Sequence, residues 1–594
     1  MDQANKDYES LENKRLRLWY GLLVLAIVIF ILQLFNDQVI RYNHFKTAAL
    51  NDQLEQYKIP ATRGLIEAKE GNSIVPIVLN QKLYTLFADP PLIKNVNKTA
   101  SKIASIIGGS VSNYENLMKT KNTQYVVLAY KISSSQNSKI LSLKMPGIGS
   151  QGQDYREYPN GSLAAQVLGF VNTQGVGEYG LEQAMNKQLA GTPGELKAIT
   201  DANGVPLAAN KGNIDIPPVN GDNVVTTLNL GMQTQMEQIL ARDYKSTKSQ
   251  ELSAIIMDPY NGHVLAMANY PTYNPANYQN VTNPSIFQNA AVDYPIEPGS
   301  TMKTLTTATA LNVGAITPYE SFYDPAHWVI DGFNITDIKQ DGGAREQNIA
   351  SILALSLNTG ATWMLMQMSH PGGTTITGKG ITTWHDYMVN HFRLGQPTGI
   401  EQGYEASGYV PPANLNDPSI NLRYANTAFG QGVSMTAIQQ LSAYDSIIDG
   451  GTYYKPTLVS ELIKPNGQVI NNPPKVEERN VVSPKIAHEE EPLLENVVKA
   501  YLHGGFSFMN FPSNYIVGGK TGTAQVARPT GGYYKNIFNG TYIGFVGGNQ
   551  PEYTIVVYNI KPAVPGYAGS FGSQPVFADL VHMLINEGYV TPKN

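Results

Sequence analysis

At 594 residues the chain is too long for one ordinary hydrophobic core, so at least two domains are expected. Hydrophobic residues at 42% and charged residues at 15% exclude a disordered or coiled-coil chain, and a net charge of -5 without a clustered Lys/Arg excess excludes a general nucleic-acid binder. The lack of cysteine removes disulfides, thiol catalysis and Cys-based zinc sites together.

The first element is an apolar run from Leu18 to Phe35, in which Gln33 is the only strongly polar side chain. Its length suits a helix that spans the bilayer core. Lys14, Arg15 and Arg17 precede it and only Arg41 and Lys46 follow closely, which keeps the first residues cytoplasmic and the bulk of the chain outside. A cleaved signal peptide and a buried core helix are the alternatives; the length, the basic flank and the absence of a small-x-small site after Gln33 favour an uncleaved anchor.

A polar helix is expected to continue from Asn36 to Leu54, ended by turn formers between Pro60 and Gly71. Up to about Pro217 the chain alternates short runs such as Tyr125–Tyr130 with Gly, Asn and Ser-rich turns, which reads as a mostly β and loop module. A Gly/Asp/Pro-rich linker, Asn213 to Asp222, follows. Beyond it, Ala254–Met257 and His263–Ala268 flank the turn Asp258-Pro259-Tyr260-Asn261-Gly262 as a hairpin. Helices are predicted after Ser300, around Ile349–Met366 and at Thr436–Ile448, and a second strand pair at Tyr542–Val546 and Tyr553–Ile560. Strands at both ends with helices between predict an α/β or α+β domain with a largely antiparallel sheet.

Three clusters can carry chemistry. Ser300-Thr301-Met302-Lys303, the only Ser-x-x-Lys here, follows a Pro-Gly turn where a helix would begin. Residues three apart share a helix face, so Lys303 can reach the Ser300 hydroxyl, a poor nucleophile that needs a base. A neutral lysine can be that base, although a solvated Ser/Lys pair gives the same spacing. Ser356-Leu357-Asn358, at the expected end of a buried helix, offers a hydroxyl to relay a proton and an amide to hold a substrate, or simply a helix cap. Lys520-Thr521-Gly522-Thr523, after Gly518-Gly519, puts a cation and two hydroxyls on a strand where glycines let a peptide approach; an ordinary Gly-rich hairpin is the alternative, and phosphate-loop spacing is absent.

Ser-x-x-Lys, Ser-x-Asn and Lys-Thr-Gly in this order resemble the constellation of penicillin-binding proteins and serine β-lactamases. The extended Lys520–Gln525 run resembles class B penicillin-binding proteins of the cell-division or elongation kind more narrowly. Outside the site, Arg63-Gly64-Leu65-Ile66, Tyr158-Pro159-x-Gly161, Gly177-x-x-Gly180-Leu181-Glu182, Pro271-x-Tyr273-Asn274-Pro275 and Gly430-Gln431-Gly432 are similar to family motifs. Thr227-Leu228-Asn229 stands where Thr-Ile-Asp is common, and Glu67-Ala68 where Asp-Arg is. The resemblance implies an α+β protein with a cytoplasmic tail (1–17), a single transmembrane helix (18–35), a mixed α/β pedestal of the dimerisation type (36–225) and a transpeptidase domain (226–594) whose antiparallel sheet is flanked by helices and a helical subdomain.

The resemblance also implies the chemistry. Ser300 would attack the penultimate D-Ala carbonyl of a peptidoglycan stem peptide, Lys303 would take its proton and Ser356 would pass one to the leaving D-Ala. Asn358 would orient the donor amide, and Lys520, Thr521 and Thr523 would hold its carboxylate along the strand that contains Gly522. The N–H groups of Ser300 and Thr523 would form the oxyanion hole. No metal or organic cofactor is implied, β-lactams would acylate Ser300, and the partners would be a membrane-embedded glycan polymerase and division or elongation proteins, met at the anchor and the Arg63–Gly71 side. A β-lactamase would need a Glu-x-x-Leu-Asn element between Asn358 and Lys520, and a bifunctional polymerase a Glu-Asp-x-x-Phe element before Pro217; neither is present. A non-catalytic scaffold would have no need of the three clusters together.

Overall fold

The protein is described here by a computed structural model that covers residues 2–44, 54–71, 73–199, 214–337 and 343–593. It forms two compact units, one of residues 1–61 and 191–220, the other of residues 62–190 and 221–594.

In the first unit, helix Asp2–Phe35 passes into a π-helical turn, Asn36–Ile40. The segment Leu16–Ile40 is long and apolar enough to cross a membrane, and its side chains from Leu16 to Phe35 are all exposed. Such a row of Leu, Ile and Val left bare is stable only against lipid or another apolar surface. The helical continuation expected up to Leu54 is seen as far as residue 44; residues 45–53 lie outside the described residues, and Leu54 opens a strand, Leu54–Ile59. That strand pairs antiparallel with Gly194–Ile199, which pairs with Ile214–Ile216, so part of the expected linker is a sheet edge.

The second unit contains a seven-stranded sheet in the order Val469–Asn471, Val459–Ile463, Asn223–Asn229, Ile66–Glu70, Ser73–Ala88, Val126–Ile132, with Ile148–Glu157 also on Ser73–Ala88. The turn expected between Pro60 and Gly71 is therefore a central strand, because Ile66 and Ala68 alternate onto the buried face. Helices Val96–Ile107, Val111–Met118 and Ser134–Ser142 correct the mostly β reading of this part to a mixed α/β one. The first buries Thr99, Ala100 and Ile103 on one stripe and is capped by Asn95, whose side chain accepts from the Lys98 N–H.

Five strands form the other large sheet of this unit. They are β1 (Glu251–Asp258), β2 (His263–Tyr270), β3 (Ile516–Ala527), β4 (Tyr533–Gly547) and β5 (Pro551–Ile560), in the antiparallel order β2-β1-β5-β4-β3. Both expected strand pairs are present. Helices α1 (Leu230–Thr247) and α7 (Gln574–Asn586) cover one face, packing Met236, Leu240, Phe577 and Val581 on Ile256 and Val557. Helix α5 (Ala437–Ile448) covers the other, with Ile438 and Leu441 in the same core as Ile255 and Val556. Burial on both faces explains why β1 and β5 read as continuous apolar runs. A helical lobe, built from α2 (Met302–Asn312), α3 (Ile349–Ala354), α4 (Asn358–Ser369) and the helices Gly378–Asp386 and Ile420–Ala428, has its own core around Met364, Trp384 and Tyr424. The Asn229 that replaces the common Asp still caps α1, accepting from the Met232 N–H at 3.1 Å.

Buried carboxyls give the fold a pH dependence with a definite sign. Desolvation raises Glu251 from 4.5 to about 7, helped by the charge of Asp293, and desolvation raises Asp293 from 3.8 to about 7. Each keeps its proton to higher pH in the native state than in the unfolded chain. Between the unfolded values and about pH 7 the native state thus binds more protons, and stability falls as pH rises through that window. The protein is expected to melt at a higher temperature at pH 5 than at pH 8, with the slope reduced in Glu251→Gln/Asp293→Asn; an unchanged slope in that variant would clear the pair of responsibility.

Candidate active site

Ser300 lies in a 3-10 turn, Gly299–Thr301, that runs into α2 and so aims its hydroxyl at the side chain one turn on. The Lys303 Nζ lies 2.9 Å from Ser300 Oγ, 2.5 Å from the Ser356 carbonyl, 3.3 Å from Ser356 Oγ and 2.9 Å from Asn358 Oδ1, four oxygens within hydrogen-bonding reach of one amine. Lys303 is fully buried, so these oxygens stand in for the water that an ammonium would otherwise hold.

Ser356 and Asn358 do not end one helix, as the sequence suggests; Ser356 sits in the break between α3 and α4, and Asn358 opens α4. The break exists because Ser356 adopts φ +59°, a left-handed conformation that costs a non-glycine residue about 1 kcal/mol. That bend turns both the Ser356 carbonyl and its hydroxyl toward Lys303.

On β3, Lys520 is fully buried and its Nζ lies 3.2 Å from the Thr521 carbonyl. Thr521 Oγ1 is 2.5 Å from the Tyr501 hydroxyl at the end of α6 (Pro484–His503), and Thr523 Oγ1 accepts from the Gly569 N–H at 2.9 Å. Gly522 contributes no group to the cavity. Its missing side chain admits the Pro298 carbonyl, which a Cβ would meet at 2.2 Å. A Cβ on Gly299 would likewise stand 2.9 Å from Thr523 N, so the serine turn and β3 touch backbone to backbone. Gly430 closes the third side, accepting from the Gly299 N–H at 3.1 Å. Glu297 joins the neighbouring turn, accepting at 2.9 Å from both the Gly432 N–H and the Tyr533 hydroxyl; burial raises its carboxyl, against those two hydrogen bonds.

Ser300, Ser356, Asn358, Thr521 and Thr523 line one cleft of about 700 Å³, with Lys303 and Lys520 buried beside it. Sequence reasoning missed its aromatic walls, Phe429, Tyr501, Phe506, Phe538, Tyr567 and Phe571. Phe429 directly precedes the Gly430-Gln431-Gly432 run, but no local spacing links the other five to the three clusters. A buried amine against a hydroxyl, backed by an amide and facing a strand that carries two threonine hydroxyls, can in its neutral form activate the serine for attack on a carbonyl of an extended peptide.

Residues 252–582 match the family model of the penicillin binding protein transpeptidase domain, and residues 58–226 match that of the penicillin-binding protein dimerisation domain. Among curated proteins the chain is 30% identical to stage V sporulation protein D of Bacillus subtilis, over 89% of this chain and 79% of that one. It is 25% identical to the peptidoglycan D,D-transpeptidase FtsI of Escherichia coli K12, over 91% and 86%. Among solved structures, penicillin binding protein 2X of Streptococcus thermophilus matches with a TM-score of 0.73 at 23% identity, over 91% and 83%. Penicillin binding protein 3 of Mycobacterium tuberculosis, in complex with aztreonam, matches with 0.67 at 24%, over 90% and 98%.

Proposed function

We infer the roles of single residues from one premise: the chain belongs to the penicillin-binding protein transpeptidase family. It is a serine-type peptidoglycan D,D-transpeptidase of cell division or elongation, and a β-lactam target. Ser300 Oγ attacks the penultimate D-Ala carbonyl of a stem peptide. An ester bond to Ser300 forms, the bond to the terminal D-Ala nitrogen breaks, and the serine proton travels through neutral Lys303 and Ser356 to that leaving amine. An amine on a second stem peptide then attacks the ester, and its proton returns by the same groups to Ser300. Asn358 orients the donor amide, while Lys520, Thr521 and Thr523 hold its carboxylate along the edge of β3, where Gly522 keeps the strand against the serine turn. The N–H groups of Ser300 and Thr523 stabilise the oxyanion, each worth about 3–4 kcal/mol in related acyl transfers.

The observation that carries this reading is the buried Lys303 amine 2.9 Å from Ser300 Oγ and 2.9 Å from Asn358 Oδ1. We assign the tail (1–17) to the cytoplasm, the anchor to 18–35, the pedestal to 36–225 and the catalytic domain (226–594) to the outer side, on the strength of the basic residues before the apolar run. Contact with a membrane-embedded glycan polymerase and with division or elongation proteins is assigned to the anchor, whose apolar side chains are exposed. The Arg63 guanidinium is unsuited to that contact, since it is turned inward onto Glu182. Full-length protein in detergent, incubated with a penicillin and followed by intact mass, is expected to gain one long-lived adduct. Rapid loss of the adduct with drug hydrolysis would favour a β-lactamase, and no adduct at any drug concentration a scaffold.

A further inference from the structure

We infer that Asp337 is a positioning residue of this transpeptidase, holding Asn358 in the orientation in which its amide oxygen meets the Lys303 amine. The inference rests on the reading of Ser300 and Lys303 as the acylation machinery. Asp337 follows the strand Phe333–Thr336, which forms a two-stranded hairpin with His327–Ile330. Its Oδ1 accepts from the backbone N–H groups of Asn358 and of Thr359, the latter at 3.1 Å, and its Oδ2 accepts from Thr359 Oγ1 at 2.5 Å. The preceding residue, Thr336, accepts from Asn358 Nδ2 at 3.1 Å through its carbonyl.

Two consecutive residues at one strand end therefore fix both the backbone and the side chain of Asn358. Helix α4 begins at Asn358 with Leu357 before it, a residue that supplies no capping side chain, so Asp337 serves as the cap from outside the helix. With Nδ2 committed to the Thr336 carbonyl, the amide has only its oxygen to present to Lys303 at 2.9 Å. Rotating that amide would set an NH2 against an amine and leave the Thr336 carbonyl without its donor. Asp324 is fully buried behind Asp337; its Oδ2 lies 3.1 Å from the same Thr359 hydroxyl, and burial first, then the charge of Asp337, raises its carboxyl. Asp337 touches neither Ser300 nor Lys303 by any of these bonds, so its influence on the reaction runs through Asn358.

The test is a double-mutant cycle on full-length protein in detergent, reading the rate of penicillin acylation by intact mass and folding by thermal melt. Asp337→Ala is expected to slow acylation roughly 10- to 100-fold, the scale of a small misplacement in a reaction site. Asp337→Asn keeps one acceptor oxygen for the two N–H groups and is expected to recover most of the rate. Asp337→Ala added to Asn358→Ala is expected to cost little beyond Asn358→Ala alone, since both act through one side chain. A wild-type rate in Asp337→Ala, or losses that multiply in the double variant, would overturn the inference. Should Asp337→Ala not fold, Thr359→Val removes the Oδ2 anchor and is read by the same cycle: a slower rate that merges with Asn358→Ala upholds the inference, and a wild-type or multiplying one overturns it. Absence of an adduct on the wild-type protein would instead overturn the reading on which it rests.

Discussion

Ser300→Ala is expected to abolish the penicillin adduct and to lower transpeptidation roughly 10⁵- to 10⁶-fold, the scale on which a serine acyl-transfer enzyme loses turnover when its nucleophile is removed. Lys303→Ala is expected to cost at least about 10²- to 10⁴-fold, the usual contribution of a general base. Its loss should lie toward the upper end, because the Ser356 carbonyl and Asn358 Oδ1 lose the amine they accept from, at 2.5 and 2.9 Å. The two variants should differ in a telling way. Ser300→Ala leaves Lys303 its three contacts to Ser356 and Asn358 and should bind penicillin reversibly with unchanged affinity. Lys303→Ala should retain the nucleophile, so a slow adduct should form and grow faster as pH rises, when hydroxide in solution can replace the missing base. Stopped-flow acylation across pH, with a melt to show folding, reads both. A Lys303→Ala rate equal to wild type would remove the lysine from the proton path.

What the sequence shows of this site is what lies close together along the chain. Ser300 and Lys303 are three residues apart at a helix start, and one turn suffices to join them. The Lys520-to-Thr523 run is legible for the same reason: a strand displays its own neighbours. Ser356 and Asn358 are legible as residue types but not as geometry, since the chain break that aims them comes from a φ of +59° at a serine, a conformation for which a sequence has no mark beyond glycine and asparagine. Asp337 and Tyr501 escape altogether. Their contacts to Asn358 and Thr521 span 21 and 20 residues and exist only after the hairpin and α6 have packed. In the fold, the strands β1 and β5 are plain from their apolar runs, whereas Ile66–Glu70 hides behind flanking Pro, Gly and charged residues and takes its central place in the sheet between the adjacent Ser73–Ala88 and Asn223–Asn229, which reaches it from far along the chain.

The largest effect on stability is expected from a residue outside the catalytic cleft. Glu182 is fully buried and serves two arginines: its Oε2 is 2.5 Å from Arg63 Nη2 and 2.8 Å from Arg63 Nε, and its Oε1 is 2.7 Å from Arg156 Nε. The arginines are 10% and 4% exposed, and each is steadied once more, Arg63 by Asn186 Oδ1 at 2.9 Å and Arg156 by Asn80 Oδ1 at 2.7 Å. Two cations thus share one anion where water cannot help, and burial already lowers the Arg63 pKa against the pull of Glu182. Glu182→Gln keeps the shape and deletes the charge, leaving two buried guanidinium groups uncompensated; the expected loss is about 3–5 kcal/mol. If charge is the cause, Arg63→Met/Arg156→Met/Glu182→Leu should be less destabilised than Glu182→Gln alone, because an apolar cluster has no desolvation to offset. Urea unfolding followed by tryptophan and by circular dichroism measures both variants, with penicillin acylation per folded molecule expected to stay at the wild-type rate. A triple variant weaker than the single one would mean that the packing of the arginine stems, and not their charge, holds this part of the molecule together.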